Sequence, residues 1–258
     1  MYRNLGGKPM YRKLSRRTTR SILTALVALC FCASQASAQT PGYTAGPVSN
    51  GGSIKGTIKA SSKPDETLKV NKDNAHCGDT QPAEKFIIGG DGGLKNAVVM
   101  LKGIAKGKDF ASKDDPVISN KDCKFAPHVM VAREGAQMKV RNDDPVSHNS
   151  HFFLMAAGKK SNVINLALPK QGLEIGKPKI LSKAGLLSLN CDAHNWMQSW
   201  IWVLEHPYAV VTGSDGSFDL SDVPAGSYKL TIWHEALGEK TVDVTVGAGK
   251  ATTTNVTF

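Results

Sequence analysis

Thr212-Gly-Ser-Asp-Gly-Ser-Phe218, followed by Val223-Pro-Ala-Gly-Ser-Tyr-Lys-Leu230, is the stretch whose reading decides the fold. Asp215-Gly216 is a tight-turn pair, because glycine takes the positive φ of a short hairpin loop at no steric cost. Phe218 then faces a core, and Pro224 to Gly226 turns the chain into the next strand. The same texture extends outward. Ser53-Ile-Lys-Gly-Thr-Ile-Lys59 alternates with period two, and Asn96-Ala-Val-Val-Met-Leu101 is a second strand candidate. Further short candidates are 128–132, 137–141, 186–190, 200–204, 217–220, 228–233 and 240–246, each bounded by Gly, Asp, Asn or Pro. Long helical periodicity is absent. Short strands at this spacing predict an all-β sandwich or barrel.

A chain of 258 residues with 41% hydrophobic side chains can bury a sizeable core in one or two domains. Its net charge of +10 points to nucleic acid only until it is divided. Arg3, Lys8, Arg12, Lys13, Arg16, Arg17 and Arg20 precede any acidic residue, and residues 39–258 carry only +3. The basic stretch leads into the apolar run 22–33 and then Ala36-Ser37-Ala38, the order of a cleavable secretory signal. The expectation is therefore a signal peptide over 1–38, a mature chain from Gln39, and a periplasmic or secreted product. Arg16-Arg17 raises the twin-arginine route, but Thr18-Thr19 leaves the ordinary secretory route open as well. No segment after the signal has the eighteen or so apolar residues of a membrane span. Neither a nucleic-acid partner nor a membrane span is expected.

Cleavage would remove Cys30 and Cys32 and leave Cys77, Cys123 and Cys191 in an oxidising compartment. Three is an odd number, and the local sequence singles out Cys191 for chemistry. Cys77 and Cys123 remain, either as a disulfide or as two buried thiols.

Chemistry concentrates in two runs, Asn142-Asp-Asp-Pro-Val-Ser-His148-Asn149-Ser-His151-Phe152 and Cys191-Asp-Ala-His194-Asn-Trp-Met197. A thiolate, two imidazoles and a thioether form the mixture that a soft or borderline metal selects. A trigonal His2Cys set with a weak axial Met is the type 1 copper arrangement. Cys191, His194 and Met197 recur every three residues, so one tight loop can wrap all three side chains about an ion. His148 is the natural fourth ligand, and His151 is the alternative to it. His76 and His128 read as surface or packing residues, His206-Pro207 as a strand exit and Trp233-His234-Glu235 as a strand edge. Trp196, Trp200 and Trp202 read first as core residues and second as an apolar docking rim. No Gly-x-Ser-x-Gly, His-Glu-x-x-His or phosphate-cradling loop is present, so an independent enzyme is not expected.

Two family resemblances rest on these residues. The run from Thr212 to Leu230 resembles the carboxypeptidase regulatory-like, transthyretin-like β-sandwich family, whose opening strands look like 52–59 and 94–101 here. The Cys-x-x-His-x-x-Met loop and the His148-Asn-x-His151-Phe run resemble the amicyanin branch of the cupredoxins. Phe125-Ala-Pro127, 131–135 and Val140-Arg-Asn-Asp143 extend that likeness over about ninety residues. Asn195 stands where many members have Pro. Together the resemblances imply a cupredoxin-like Greek-key sandwich at 115–205 and a discontinuous regulatory-like sandwich at 53–114 plus 206–258, after a linker at 39–52. They also imply one type 1 copper on His148, Cys191, His194 and Met197. Asn149 would tie the two ligand segments together, and His151 would stand beside the site without ligating. The implied activity is one-electron transfer to a redox partner protein, with His194, near Trp196, as the port for electrons. The rival reading is a non-redox copper-handling or structural binding protein.

Overall fold

The computed structural model describes residues 42–61 and 63–258, and the signal expected at 1–38 lies outside the described residues. The described chain is almost entirely strand, and each strand candidate of the sequence falls on an observed one. Where the candidate 217–220 was short, the strand runs Ser217–Val223, because a register shift between Leu220 and Val223 lets it continue along Gly52–Lys59. The period-two pattern of Gly52–Lys59 does what it predicts, with Ile54 and Ile58 fully buried and Lys55 and Lys59 exposed. Gly216 sits at φ 70°, and a Cβ there would stand 2.2 Å from the carbonyl oxygen of Ile58. The Asp-Gly turn is thus required both by conformation and by close packing.

Two apolar cores organise these strands into two lobes. In the first lobe one sheet has the order Glu174–Lys177, Met138–Asn142, Val117–Lys121, Lys124–Ala126. The other has the order Lys159–Leu168, His148–Ala156, Gly185–Asn190, Gln198–Leu204, Val129–Arg133. Phe125, Met138, Phe152, Leu168, Leu189 and Ile201 fill the space between them. In the second lobe a sheet of Ala209–Val211, Val98–Lys102, Gly226–His234 and Gly238–Val246 faces one of Ser217–Val223, Gly52–Lys59 and Ala251–Thr253. Its core contains Ile54, Ile58, Leu101, Tyr208, Leu230 and Ile232. Each fully buried aliphatic side chain contributes about 1.5–3 kcal/mol. Among the described residues no helix is long and apolar enough to cross a membrane.

Three features differ from the sequence reading. The hairpin Thr67–Lys69 with Thr80–Pro82, and the short helix Asn74–Cys77 between its strands, lie within the segment assigned to the regulatory-like sandwich. Val70 and Cys77 are nevertheless buried in the first lobe's core, because Cys77 is joined to Cys123 by a disulfide with Cα atoms 5.5 Å apart. The stretch read as a linker is also engaged. Thr44–Ala45 pairs in parallel with Lys106–Gly107, and the Tyr43 hydroxyl donates to the Lys108 carbonyl. Finally, Trp233-His234-Glu235 is not a strand edge. Gly226–His234 is an interior strand, with Val98–Lys102 on one side and Gly238–Val246 on the other.

Those residues form the seam between the lobes. Trp233 packs with Val98, Met100 and Val129, and Trp200 and Trp202 lean on it with ring centroids 5.6 and 6.0 Å away. Glu235 is almost wholly buried there, hydrogen-bonded to His128 and accepting 2.8 Å from Trp200 Nε1. His128 is therefore a buried partner of a carboxylate, and Trp200 and Trp202 serve the seam before any docking rim.

Candidate metal centre

The two chemistry-bearing runs meet because their strands are neighbours. His148–Ala156 pairs antiparallel with Gly185–Asn190, placing His151 opposite Asn190. Continued past Asn190, that register brings His148 alongside the loop 191–197. The loop leaves Gly185–Asn190 and returns as Gln198–Leu204, with Asn190 opposite Gln198. It is closed by Met197 N–H donating to His194 O at 2.9 Å and by Cys191 N–H donating to Met197 O at 3.4 Å. Asn149 ties the segments together. Its Oδ1 accepts from the backbone N–H groups of Asp192 at 2.8 Å and Ala193 at 3.1 Å and from the Cys191 thiol at 3.3 Å.

His148, Cys191, His194 and Met197 are all buried, and Cys191 is the free cysteine among the described residues. Burial pushes the Cys191 thiol up and pushes the His148 imidazole down, the latter against the pull of Asp144. The two imidazole Nδ1 atoms are 2.9 Å apart. Cys191 Sγ lies 3.7 Å from His194 Nδ1 and 4.0 Å from His148 Nδ1. The point equidistant from the corners of this triangle is about 2 Å from each, the length of a metal–imidazole bond and near that of a metal–thiolate bond. These three residues form a group able to hold a metal ion. Met197 belongs to the same buried core, one turn of the loop beyond His194.

The outer nitrogens explain why both Nδ1 atoms point inward. His148 Nε2 is 2.8 Å from Asp144 Oδ2, and His194 Nε2 is 2.8 Å from Asp73 Oδ2. A carboxylate only accepts, so each Nε2 donates to its carboxylate and each Nδ1 is turned inward. Burial raises the carboxyl of Asp144. The donors Cys123 N–H, His76, His148 and Asp122 N–H outweigh that and hold it below the usual carboxylate range. Two imidazole nitrogens thus face one another beside a buried sulfur, and carboxylates behind histidines fix the orientation of such rings.

His151 stands apart from this group. Three residues along a strand reverses the face. Its ring bonds Asp192 at 3.0 Å through Nδ1 and Asn162 at 2.9 Å through Nε2, on the outer side of the sheet. Asp192 is held below the usual range. Burial acts against this, but His151 and Asn165 as donors prevail. His194, expected as the port for electrons, has no solvent-accessible surface. Asp73 and Asp144 were given no role in the sequence, and His76, read as a surface or packing residue, lies 3.2 Å from Asp144. Asp144 had a faint signal, four residues before His148. Asp73 had none.

With this geometry in place, similarity to known proteins can be located on the chain. Residues 202–258 match the family model of the carboxypeptidase regulatory-like domain. That match covers much of the second lobe and none of the residues around Cys191. Compared with curated proteins, the chain finds no match. Among solved structures, a reduced-state mutant of amicyanin is 16% identical, with 36% of this chain and 86% of that one covered and a TM-score of 0.30. A purple cupredoxin from Nitrosopumilus maritimus is 21% identical, with 35% and 100% covered and a TM-score of 0.28. A copper-containing nitrite reductase from Thermus scotoductus is 16% identical, with 35% and 22% covered and a TM-score of 0.29.

Proposed function

We propose that this chain binds one copper ion in a type 1 arrangement and passes single electrons between partner proteins. His148 Nδ1, His194 Nδ1 and Cys191 Sγ would hold the ion, with Met197 as the fourth and weakest ligand. The observation that carries this reading is the triangle of 2.9, 3.7 and 4.0 Å whose corners are two imidazole nitrogens and a buried sulfur. The ligand chemistry supports copper over zinc, because a closed zinc site has no use for a thioether.

Copper bound there would supply a one-electron couple between its cuprous and cupric states. The chain's part is to keep the ligands in one geometry. Cys191 gives up its thiol proton on loading, which a neighbouring cation favours against the burial that otherwise keeps it protonated. Asp144 and Asp73 accept from the Nε2–H groups of His148 and His194 and hold both rings with Nδ1 inward, so neither ring need turn to accept an ion. Asn149 fixes the start of the loop, and strand pairing on both sides fixes its ends. A site assembled in advance reorganises little when charge changes, which lowers the barrier to transfer. The leader pattern and the Cys77–Cys123 disulfide favour an exported, periplasmic or secreted setting.

The rival, copper held without cycling, draws on the burial of His194. Reversible voltammetry of the loaded protein separates the two, since a stored ion gives no reversible wave. The primary test is the absorption and electron paramagnetic resonance spectrum of the purified protein with Cu(II), beside Cys191→Ser. Intense visible colour in the wild type, lost in the variant, is the expected result. An unchanged spectrum in Cys191→Ser removes the thiolate from the site and ends the proposal.

A further inference from the structure

Asp73 is a helix-capping residue that does not cap. It precedes the helix Asn74–Cys77, where an aspartate side chain ordinarily accepts from the first free backbone N–H groups. Here it makes no such bond and sits at φ 55°, ψ 33°, a left-handed conformation that costs energy for a residue with a Cβ. Its Oδ2 instead accepts from His194 Nε2 at 2.8 Å, across 121 residues of chain. The surrounding segment is braced to hold that position. Val70 N–H donates to Asp79 O at 2.9 Å, and Gln81 Nε2 donates to Cys77 O at 2.7 Å. Cys77 is covalently tied to Cys123, whose carbonyl accepts from Trp196 Nε1 at 3.1 Å, and the Trp196 ring lies 5.0 Å from that of His194. The outer edge of His194 is thus closed on one side by Trp196 and on the other by a disulfide-anchored cap. The Asp73 side chain is 31% exposed, and the ring behind it is not exposed at all.

We propose that Asp73 is a positioning residue for His194: the cap delivers its carboxylate to Nε2–H, fixes Nδ1 toward the ion and seals the ring edge from solvent and partners. This rests on the copper reading above for its purpose, but not for its test. Any redox partner must then couple to the site by a route other than contact with the His194 ring.

The test compares the full chain with Asp73→Gly, which relieves the positive φ and deletes the carboxylate, and Asp73→Asn, which keeps an oxygen acceptor and tolerates that φ. In metal-free and Zn(II)-loaded protein, nitrogen NMR should find the His194 Nε2–H protected from exchange in the wild type and in Asp73→Asn. In Asp73→Gly it should exchange within the dead time. In Cu(II)-loaded protein, release to a chelator should be about 10–100-fold faster in Asp73→Gly, with Asp73→Asn restoring most of the difference. Mass measurement of the Cys77–Cys123 bond monitors the cap. Should Asp73→Gly fail to fold, Asp73→Ser, a good capping residue too short to reach the ring, replaces it in both assays. Exchange and release rates within about twofold of wild type in the carboxylate-free variant, or an Asn variant no better than that variant, overturn the proposal. A colourless wild type with a protected Nε2–H would instead reject the copper reading and leave the Asp73–His194 contact standing.

Discussion

In the second lobe, strands 52–59, 98–102 and 226–234 close over a core of Ile54, Ile58, Leu101, Leu230 and Ile232. In the first lobe the comparable core of Phe152, Leu168, Leu189 and Ile201 ends in His148, Cys191, His194 and Asp144, all buried. Among the described residues most of the buried polar side chains belong to this lobe, including Asn120, Asn142, Ser150 and Ser188. An apolar core needs only shape, whereas buried polar groups need a partner for each atom or a cation to face. The first lobe supplies partners outward, through Asp144, Asp73 and Asn149, and leaves three donor atoms converging inward. The second lobe leaves no comparable cluster among the described residues. The donor cluster thus lies in one sandwich, while the core of the other is closed by apolar packing.

Paired core truncations are the strongest way to break this contrast. Phe152→Ala, on the strand that carries His148, should cost about 3–5 kcal/mol and also speed copper loss. Leu230→Ala should cost about 2–5 kcal/mol while leaving the Cu(II) spectrum of the folded fraction unchanged. Urea unfolding followed by circular dichroism and by visible absorption measures both, and a spectrum altered by Leu230→Ala would show that the lobes are not separable in function. A smaller effect is expected for Asn149→Ala. Loss of its bonds to Asp192 and Ala193 should cost about 1–3 kcal/mol and quicken release to a chelator, since the loop start is no longer tied to His148. Stability unchanged in that variant would mean that strand pairing alone positions the loop.

The sequence made the strands legible because alternation is a local property, as 53–59 illustrates. It made the donor set legible because Cys191, His194 and Met197 share one loop. The carboxylates behind the histidines were not legible. Asp73 reads as part of a polar turn in a segment assigned to the other sandwich, and the disulfide, Leu68, Val70 and the His76–Asp144 contact carry that turn to the first lobe. His194 was expected as the port for electrons for the same reason, since nothing in residues 191–197 announces a cap contributed from residues 70–79. His128 and Glu235 repeat the lesson at the seam, where a buried hydrogen bond joins positions 107 residues apart.

The smallest expected effect concerns acid. His234 is buried in the second lobe and held below the usual imidazole value of 6.5 by burial, with Glu235 pulling the other way. The unfolded chain takes up a proton at this ring as pH falls through 6.5, and the folded chain does so only lower down. Stability from this group is therefore present above that pH and lost below it. The urea midpoint of metal-free protein should fall between pH 7 and 5.5, and His234→Gln should make the fall shallower. An identical slope in the variant would assign the acid sensitivity elsewhere, with His206, also lowered by burial, the next group to test.

Sequence by itself determined the all-β character, the Asp215-Gly216 turn, and the thiolate, imidazole and thioether at three-residue spacing, because each depends on neighbours a few positions away. Tertiary structure alone decided which nitrogen of each histidine faces inward, that His194 is sealed, and that a turn from an early segment does the sealing. Those outcomes depend on pairings such as Asp73 with His194, which are separated by 121 residues and are fixed only when two cores and a disulfide bring their strands together.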